Sequence, residues 1–142
     1  MQAASPARLY ATLVGAALTI AGIIGFFYEA SFETGNAIAR NSDEVFGLLA
    51  VNGWHNVVHL ATGLLGLAAA SYAARTYALG LGLVYTILAI WGFLETENDF
   101  AVHIDIVPIN TEDNVLHLIL GLTGLAAGAA TPRDTAPVAR TA

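Results

Sequence analysis

NVVHLATGLLGLAAAS (residues 56–71) and NVLHLILGLTGLAAGA (residues 114–129) align without a gap and agree at ten of sixteen positions. An apolar alphabet matches itself by chance, but Asn56/Asn114 and His59/His117 are not part of that alphabet. Repeats decide architecture, so they are read first. The upstream segments match too: Arg8, Tyr10, Ala11, Gly15, Thr19, Gly25 and Phe26 correspond to Arg75, Tyr77, Ala78, Gly82, Thr86, Gly92 and Phe93. The two offsets are 67 and 58, so the first intervening loop is nine residues longer. The chain reads as two tandem helical hairpins, about 8–71 and about 75–130, in one domain over 1–142, with a disordered tail over 131–142. Each hairpin begins and ends on one side, so the copies are parallel, with a pseudo-two-fold axis along the membrane normal.

Composition identifies the solvent. Of 142 residues, 56% are hydrophobic and 11% charged, against roughly a quarter charged in soluble domains. Four stretches, 9–28, 45–74, 76–94 and 114–132, contain no Asp, Glu, Lys or Arg. Each is near or above the roughly 20 residues a spanning helix needs. The second is longer than necessary, so its span is expected near 56–74, with 45–51 interfacial or extended. None has a charged outer face, which disfavours buried helices of a soluble protein. The first stretch is too long for the apolar core of a signal peptide, and only Arg8 precedes it. The expected fold is all-α: a polytopic membrane protein with four transmembrane helices.

Charge sets the orientation. One side holds Arg8, Arg75, Arg133 and Arg140, with Asp134 as its acid. The other holds Glu29, Glu33, Asp43, Glu44, Glu95, Glu97, Asp99, Asp105, Glu112 and Asp113, with Arg40 as its base. Basic residues accumulate on the cytoplasmic side, so both termini are expected there, in the plasma membrane. The net charge of −6 does not suggest a nucleic-acid partner. Cysteine is absent, which removes disulfides and thiolate metal sites. A lysine-free, acidic, Ala/Gly-rich chain fits a salt-adapted or high-GC prokaryote.

The polar residues then fall on particular faces. At about 100° per residue, His55, His59, Gly63 and Gly66 share one stripe of the second helix. Asp113, His117, Gly121 and Gly124 share the matching stripe of the fourth. Small residues let membrane helices approach, so helices two and four are expected to touch along these stripes and bring His59 and His117 together. H-x-x-x-H meeting D-x-x-x-H offers His55, His59, Asp113 and His117 to zinc or another divalent metal. His59 and His117 alone offer axial ligands to a haem. His103 is a further possible ligand. The favoured reading is plainer. Asp113 serves as an N-cap, Asn56 and Asn114 hydrogen-bond neighbouring helices or outer loops, Trp54 joins the aromatic belt, and the histidines are interhelical hydrogen-bonders. Tyr10 and Tyr77, each two residues after an Arg, read as anchors at the inner interface. ETENDF (95–100) reads as a solvated loop rather than a cation site.

VNGWHNVVHLATGLLGL (51–67), GLVYTILAIWGF (82–93) and DNVLHLILGLTGL (113–125) resemble the prokaryotic membrane proteins called domain of unknown function 4383. The resemblance covers about 8–130. It implies a four-helix membrane protein of bacteria and haloarchaea, and it implies no activity. No G-x-S-x-G, H-E-x-x-H or phosphate-loop motif occurs, so no enzyme is expected. The leading expectation is a structural or accessory membrane protein, with the lipid bilayer and a second copy or a membrane complex as partners. The alternatives are an outer-leaflet metal or haem site and a small-solute conduit.

Overall fold

The computed structural model describes residues 4–38, 43–95 and 100–132. Four helices run through them: α1 Pro6–Tyr28, α2 Gly53–Ala69, α3 Ala74–Glu95 and α4 Thr111–Ala130. A 3-10 turn, Gly35–Ala37, and strands β1 Asp43–Val45 and β2 Leu49–Val51 lie between α1 and α2. Strands β3 Phe100–His103 and β4 Val107–Asn110 lie between α3 and α4. Arg40, Glu97, Asp99, Arg133, Asp134 and Arg140 of the charge argument, and the tail beyond Pro132, lie outside the described residues.

Local sequence explains the helix starts. Ser5 caps α1 by accepting the Arg8 N–H at 3.3 Å, and Pro6 follows where no N–H is needed. Asn52 caps α2 by accepting the His55 N–H at 2.9 Å. Asn110 caps α4 by accepting the Asp113 N–H at 2.9 Å. The Asp113 carboxylate returns a bond from the Asn110 N–H at 3.1 Å, closing a capping box. Asp113 is therefore not the N-cap. It stands one turn inside, because the helix begins at Thr111.

Helices α1, α3 and α4, of 23, 22 and 20 residues, are long and apolar enough to cross a membrane. At 1.5 Å per residue they extend about 30–35 Å, matching a hydrocarbon core of about 30 Å. Helix α2 has 17 residues, about 25 Å. It ends at Ala69 rather than near residue 74, because residues 70–73 form the turn into α3.

Burial is inverted relative to a water-soluble protein. Leu13, Ile20, Phe27, Leu65, Ile87 and Ile119 are exposed, whereas Asn52, His55, Asn56, His59, Asn110, Asp113, Asn114 and His117 are buried. Apolar residues outside and hydrogen-bonding residues inside is the arrangement that lipid favours.

Helix α1 packs most extensively on α2, and α3 on α4. Glycine permits this closeness. A Cβ on Gly15 would stand 2.8 Å from the Leu67 nitrogen, and one on Gly82 would stand 2.6 Å from the Leu125 nitrogen. The glycine stripes therefore do not join α2 to α4, as the sequence suggested. Gly63 faces Thr19 of α1, and Gly121 faces Thr86 of α3. The two helix pairs are tied by tyrosines. Tyr10 of α1 donates to the Leu120 carbonyl of α4 at 2.8 Å, and Tyr77 of α3 donates to the Thr62 carbonyl of α2 at 3.1 Å. Both rings are buried, 6.4 Å apart, with Ala11, Leu18, Ala78, Leu81 and Tyr85. They are core residues rather than interface anchors.

The fold is mostly helical but not all-α. Strands β1 and β2 pair antiparallel with Val45 opposite Leu49; β3 and β4 pair with His103 opposite Val107. Each three-residue loop holds a tight turn, closed by the Leu48 N–H on the Val45 carbonyl or the Ile106 N–H on the His103 carbonyl, with both central residues at positive φ: Phe46 and Gly47 at 57° and 68°, Ile104 and Asp105 at 47° and 59°. This is the primed turn that suits the twist of a hairpin. Residues 45–51 therefore neither extend α2 nor lie as a simple extended lead. The hairpins clasp each other: Asn52 Nδ2 donates to the Ile106 carbonyl and Asn110 Nδ2 to the Leu48 carbonyl, both at 2.7 Å.

Candidate metal centre

The caps fix the first turns of α2 and α4, and these turns carry the histidines. His55 and His59, one turn apart, stack edge-on with ring centroids 4.3 Å apart. His117 of α4 approaches from the other side, its ring 6.3 Å from that of His55. One ligand nitrogen from each of His55, His59 and His117 lies within 4.8 Å of the other two. Helices α2 and α4 need not touch for this, because side chains bridge the gap.

The three rings border a cavity of about 140 Å³ lined also by Tyr85, Trp91, His103, Ile104 and Ile109. All four histidines of the chain thus face one space. His103 arrives from β3, stacked at 4.3 Å on Trp91. Neither of its ring nitrogens has a hydrogen-bond partner among the described residues. Glu95 lies 3.7 Å from Nδ1, beyond hydrogen-bond reach. Burial pushes the His103 pKa below its ordinary 6.5, and the Glu95 carboxylate pulls it partly back. The His117 Nδ1 is also buried without a partner among the described residues.

His55 is oriented by the backbone. Its Nδ1 lies 2.8 Å from the Ala50 carbonyl. A carbonyl only accepts, so Nδ1 carries the proton and Nε2 holds the lone pair. A backbone carbonyl behind an imidazole is the usual support of a metal-bound histidine.

Asp113 is not part of the cluster. Its Oδ2 accepts both the Ala50 N–H at 3.0 Å and the Asn110 N–H at 3.1 Å. It holds Ala50, whose carbonyl orients His55, and so acts on the histidines through β2. Asn56 Nδ2 donates to the Glu29 carbonyl at 2.7 Å, tying α2 to the end of α1. Trp54 packs edge-on against Phe32 at 5.0 Å. Sequence reading missed Asn52, Asn110 and Ala50. The two asparagines were detectable, since each stands three residues before the His55 or Asp113 that completes its first turn. Ala50 contributes only backbone atoms and carries no sequence signal.

The cavity is smaller than the roughly 300–1,000 Å³ usual for drug-sized ligands. In the other half of the bundle the described residues form a tyrosine and alanine core.

A family model described as a domain of unknown function (DUF4383) matches residues 8–130. No curated protein and no solved structure matches the chain.

Proposed function

Since the chain belongs to the DUF4383 family, whose description names no activity, we propose a function from the site: binding of a late first-row divalent metal, zinc or copper, by His55, His59 and His117. The observation that carries this is three imidazole nitrogens within 4.8 Å of one another in a cavity shared with His103. Tetrahedral coordination at about 2.0–2.1 Å places donors roughly 3.3 Å apart, which small ring rotations achieve. Imidazole suits zinc, copper and nickel, and the absence of thiolate disfavours softer ions. His103 supplies the fourth donor, or leaves that position to water. Among the described residues no carboxylate lines the cavity, and we assign the site binding rather than catalysis.

The surrounding architecture is part of the proposal. The chain is a plasma-membrane protein of four spans made by duplication of a helical hairpin, with both termini cytoplasmic and the histidines at the outer face. Helix α2 completes its span with the turn at 70–73 and its interfacial Trp54.

The test is metal analysis of protein purified from its native membrane, followed by titration with zinc and copper(II). One equivalent is expected, with at least a hundredfold loss of affinity in His59→Ala. Metal content at buffer level, with no saturable uptake by the folded protein, would sink the assignment. The second reading, a structural or accessory subunit, would then stand. It is supported by the apolar faces of all four helices.

A further inference from the structure

The other end of the bundle carries a site of different chemistry. A cleft of about 330 Å³ opens where the start of α1, the α2–α3 turn and the end of α4 meet. Both described arginines line it, Arg8 and Arg75, together with Ser5, Ser71 and Thr131. No acidic residue among the described ones borders it. Arg75 is held in place by its Nε, which donates to the Thr131 carbonyl at 3.0 Å. The remaining guanidinium donors make this a cationic recess of headgroup size, while the Ser71 and Thr131 hydroxyls donate to the Ala68 and Ala127 carbonyls and shape its wall.

A second hollow of about 390 Å³ runs along the flank between α2 and α3, bordered by Leu65, Tyr77, Gly80, Leu81 and Val84. Tyr72, Ala73 and Thr76 line both spaces, so the polar cleft leads into the apolar groove. The groove is open because of one residue. Gly80 aligns with Leu13 of α1 at the offset of 67, and a Cβ at Gly80 would meet no atom within 4 Å.

A cationic recess continuous with an apolar groove on a lipid-facing flank has the shape of one kind of ligand. We propose that this surface binds an anionic glycerophospholipid, its phosphate between Arg8 and Arg75 and an acyl chain in the Gly80 groove. Basic pockets between helices on the cytoplasmic side recognise acidic headgroups, and the apolar groove selects a lipid over a free phosphate. The inference rests on the spanning reading but not on the metal site.

The test uses the full-length protein in mixed micelles with dioleoyl phosphatidylglycerol, dioleoyl phosphatidylcholine or inorganic phosphate. Bound lipid is counted by native mass spectrometry, and thermal unfolding is followed in parallel. One phosphatidylglycerol is expected to be retained, at least tenfold more tightly than phosphatidylcholine, with a higher Tm. Arg75→Gln and Gly80→Leu should each lower that affinity about tenfold. Gly80→Leu fills empty space and keeps the arginines, so it tests the groove even where Arg75→Gln disturbs the Thr131 contact. Equal retention of the two lipids, or indifference to Gly80→Leu, overturns the proposal. Saturable inorganic phosphate binding unaffected by Gly80→Leu also overturns it, by making the cleft a free-anion site. Failure of the protein to enter bilayers at all is a separate result, which removes the spanning reading instead.

Discussion

HNVVH at 55–59 and DNVLH at 113–117 occupy the same place in the two halves of the molecule and do different work. Both follow an asparagine cap. Both put an asparagine and then a histidine inward, and both histidines reach the same cavity. They differ at the first position. His55 turns its Nδ1 to the Ala50 carbonyl and its ring to His59 and His117. Asp113 binds the Ala50 N–H and its own cap. Two similar motifs thus contribute unequally, HNVVH with two imidazoles and DNVLH with one imidazole and an anchor.

The largest effect should separate donors from anchor. His59→Ala and His117→Ala should each lower zinc or copper affinity at least a hundredfold with modest change in Tm, read by competition titration. Asp113→Asn should do the reverse. It weakens the acceptor of two buried N–H groups, costing about 1–3 kcal/mol of stability, and should weaken metal binding only about tenfold, the usual scale for a supporting residue. If Asp113→Asn abolishes metal binding without destabilising the protein, the carboxylate is a donor and the comparison is wrong.

Next come the glycine contacts, where the halves should behave alike. Gly15→Ala and Gly82→Ala each force a Cβ against a facing backbone, an overpacking worth about 1–3 kcal/mol. Matched losses in denaturant or thermal unfolding are expected. A change in one half alone would mean that the two helix pairs carry unequal shares of stability.

Acid should act through β3. The pKa of His103 is depressed in the folded protein, so the unfolded chain binds its proton first. Its contribution to stability is complete above about 6.5, the unfolded value, and declines as pH falls below it toward the folded value. His103→Gln should flatten that part of the stability profile. Metal occupancy falls in the same direction because ligand imidazoles must be neutral. An unaltered profile in the variant would assign the acid sensitivity elsewhere.

The smallest effect concerns the two turns. Gly47 suits its positive φ, whereas Ile104, β-branched and at 47°, does not. Ile104→Asn should stabilise the protein by up to about 1 kcal/mol, since asparagine tolerates the left-handed region. A lower Tm would indicate that the Ile104 side chain at the cavity wall matters more than the backbone.

Much of this comparison was legible in the residues. The paired Asn and His positions, the small-residue faces and the burial of His59 and His117 follow from spacing alone. The strands did not, because 45–51 is apolar and uncharged, and a short apolar run reads equally as strand or helix. Gly47, at the centre of the turn, is the available signal. The partner of each glycine stripe was equally hidden. Spacing identifies a face, but Gly15 and Gly82 decide which neighbour can come close to it. The charge of Asp113 marks it in the sequence as a cap or a ligand. Its target, a backbone N–H on another loop, has no letter in the sequence.

The exchange of amide bonds between Asn52 and Ile106 and between Asn110 and Leu48 has a consequence for how the molecule is assembled. Neither cap is finished by its own half. Each waits for a carbonyl that the other half presents, and Leu48 and Ile106 stand at aligned positions, as do the two asparagines. Two copies of a single half would therefore find in each other the same complements that one chain finds in itself. The clasp is written as well for a pair of short chains as for one long one, and separately expressed halves should seek a partner rather than stand alone.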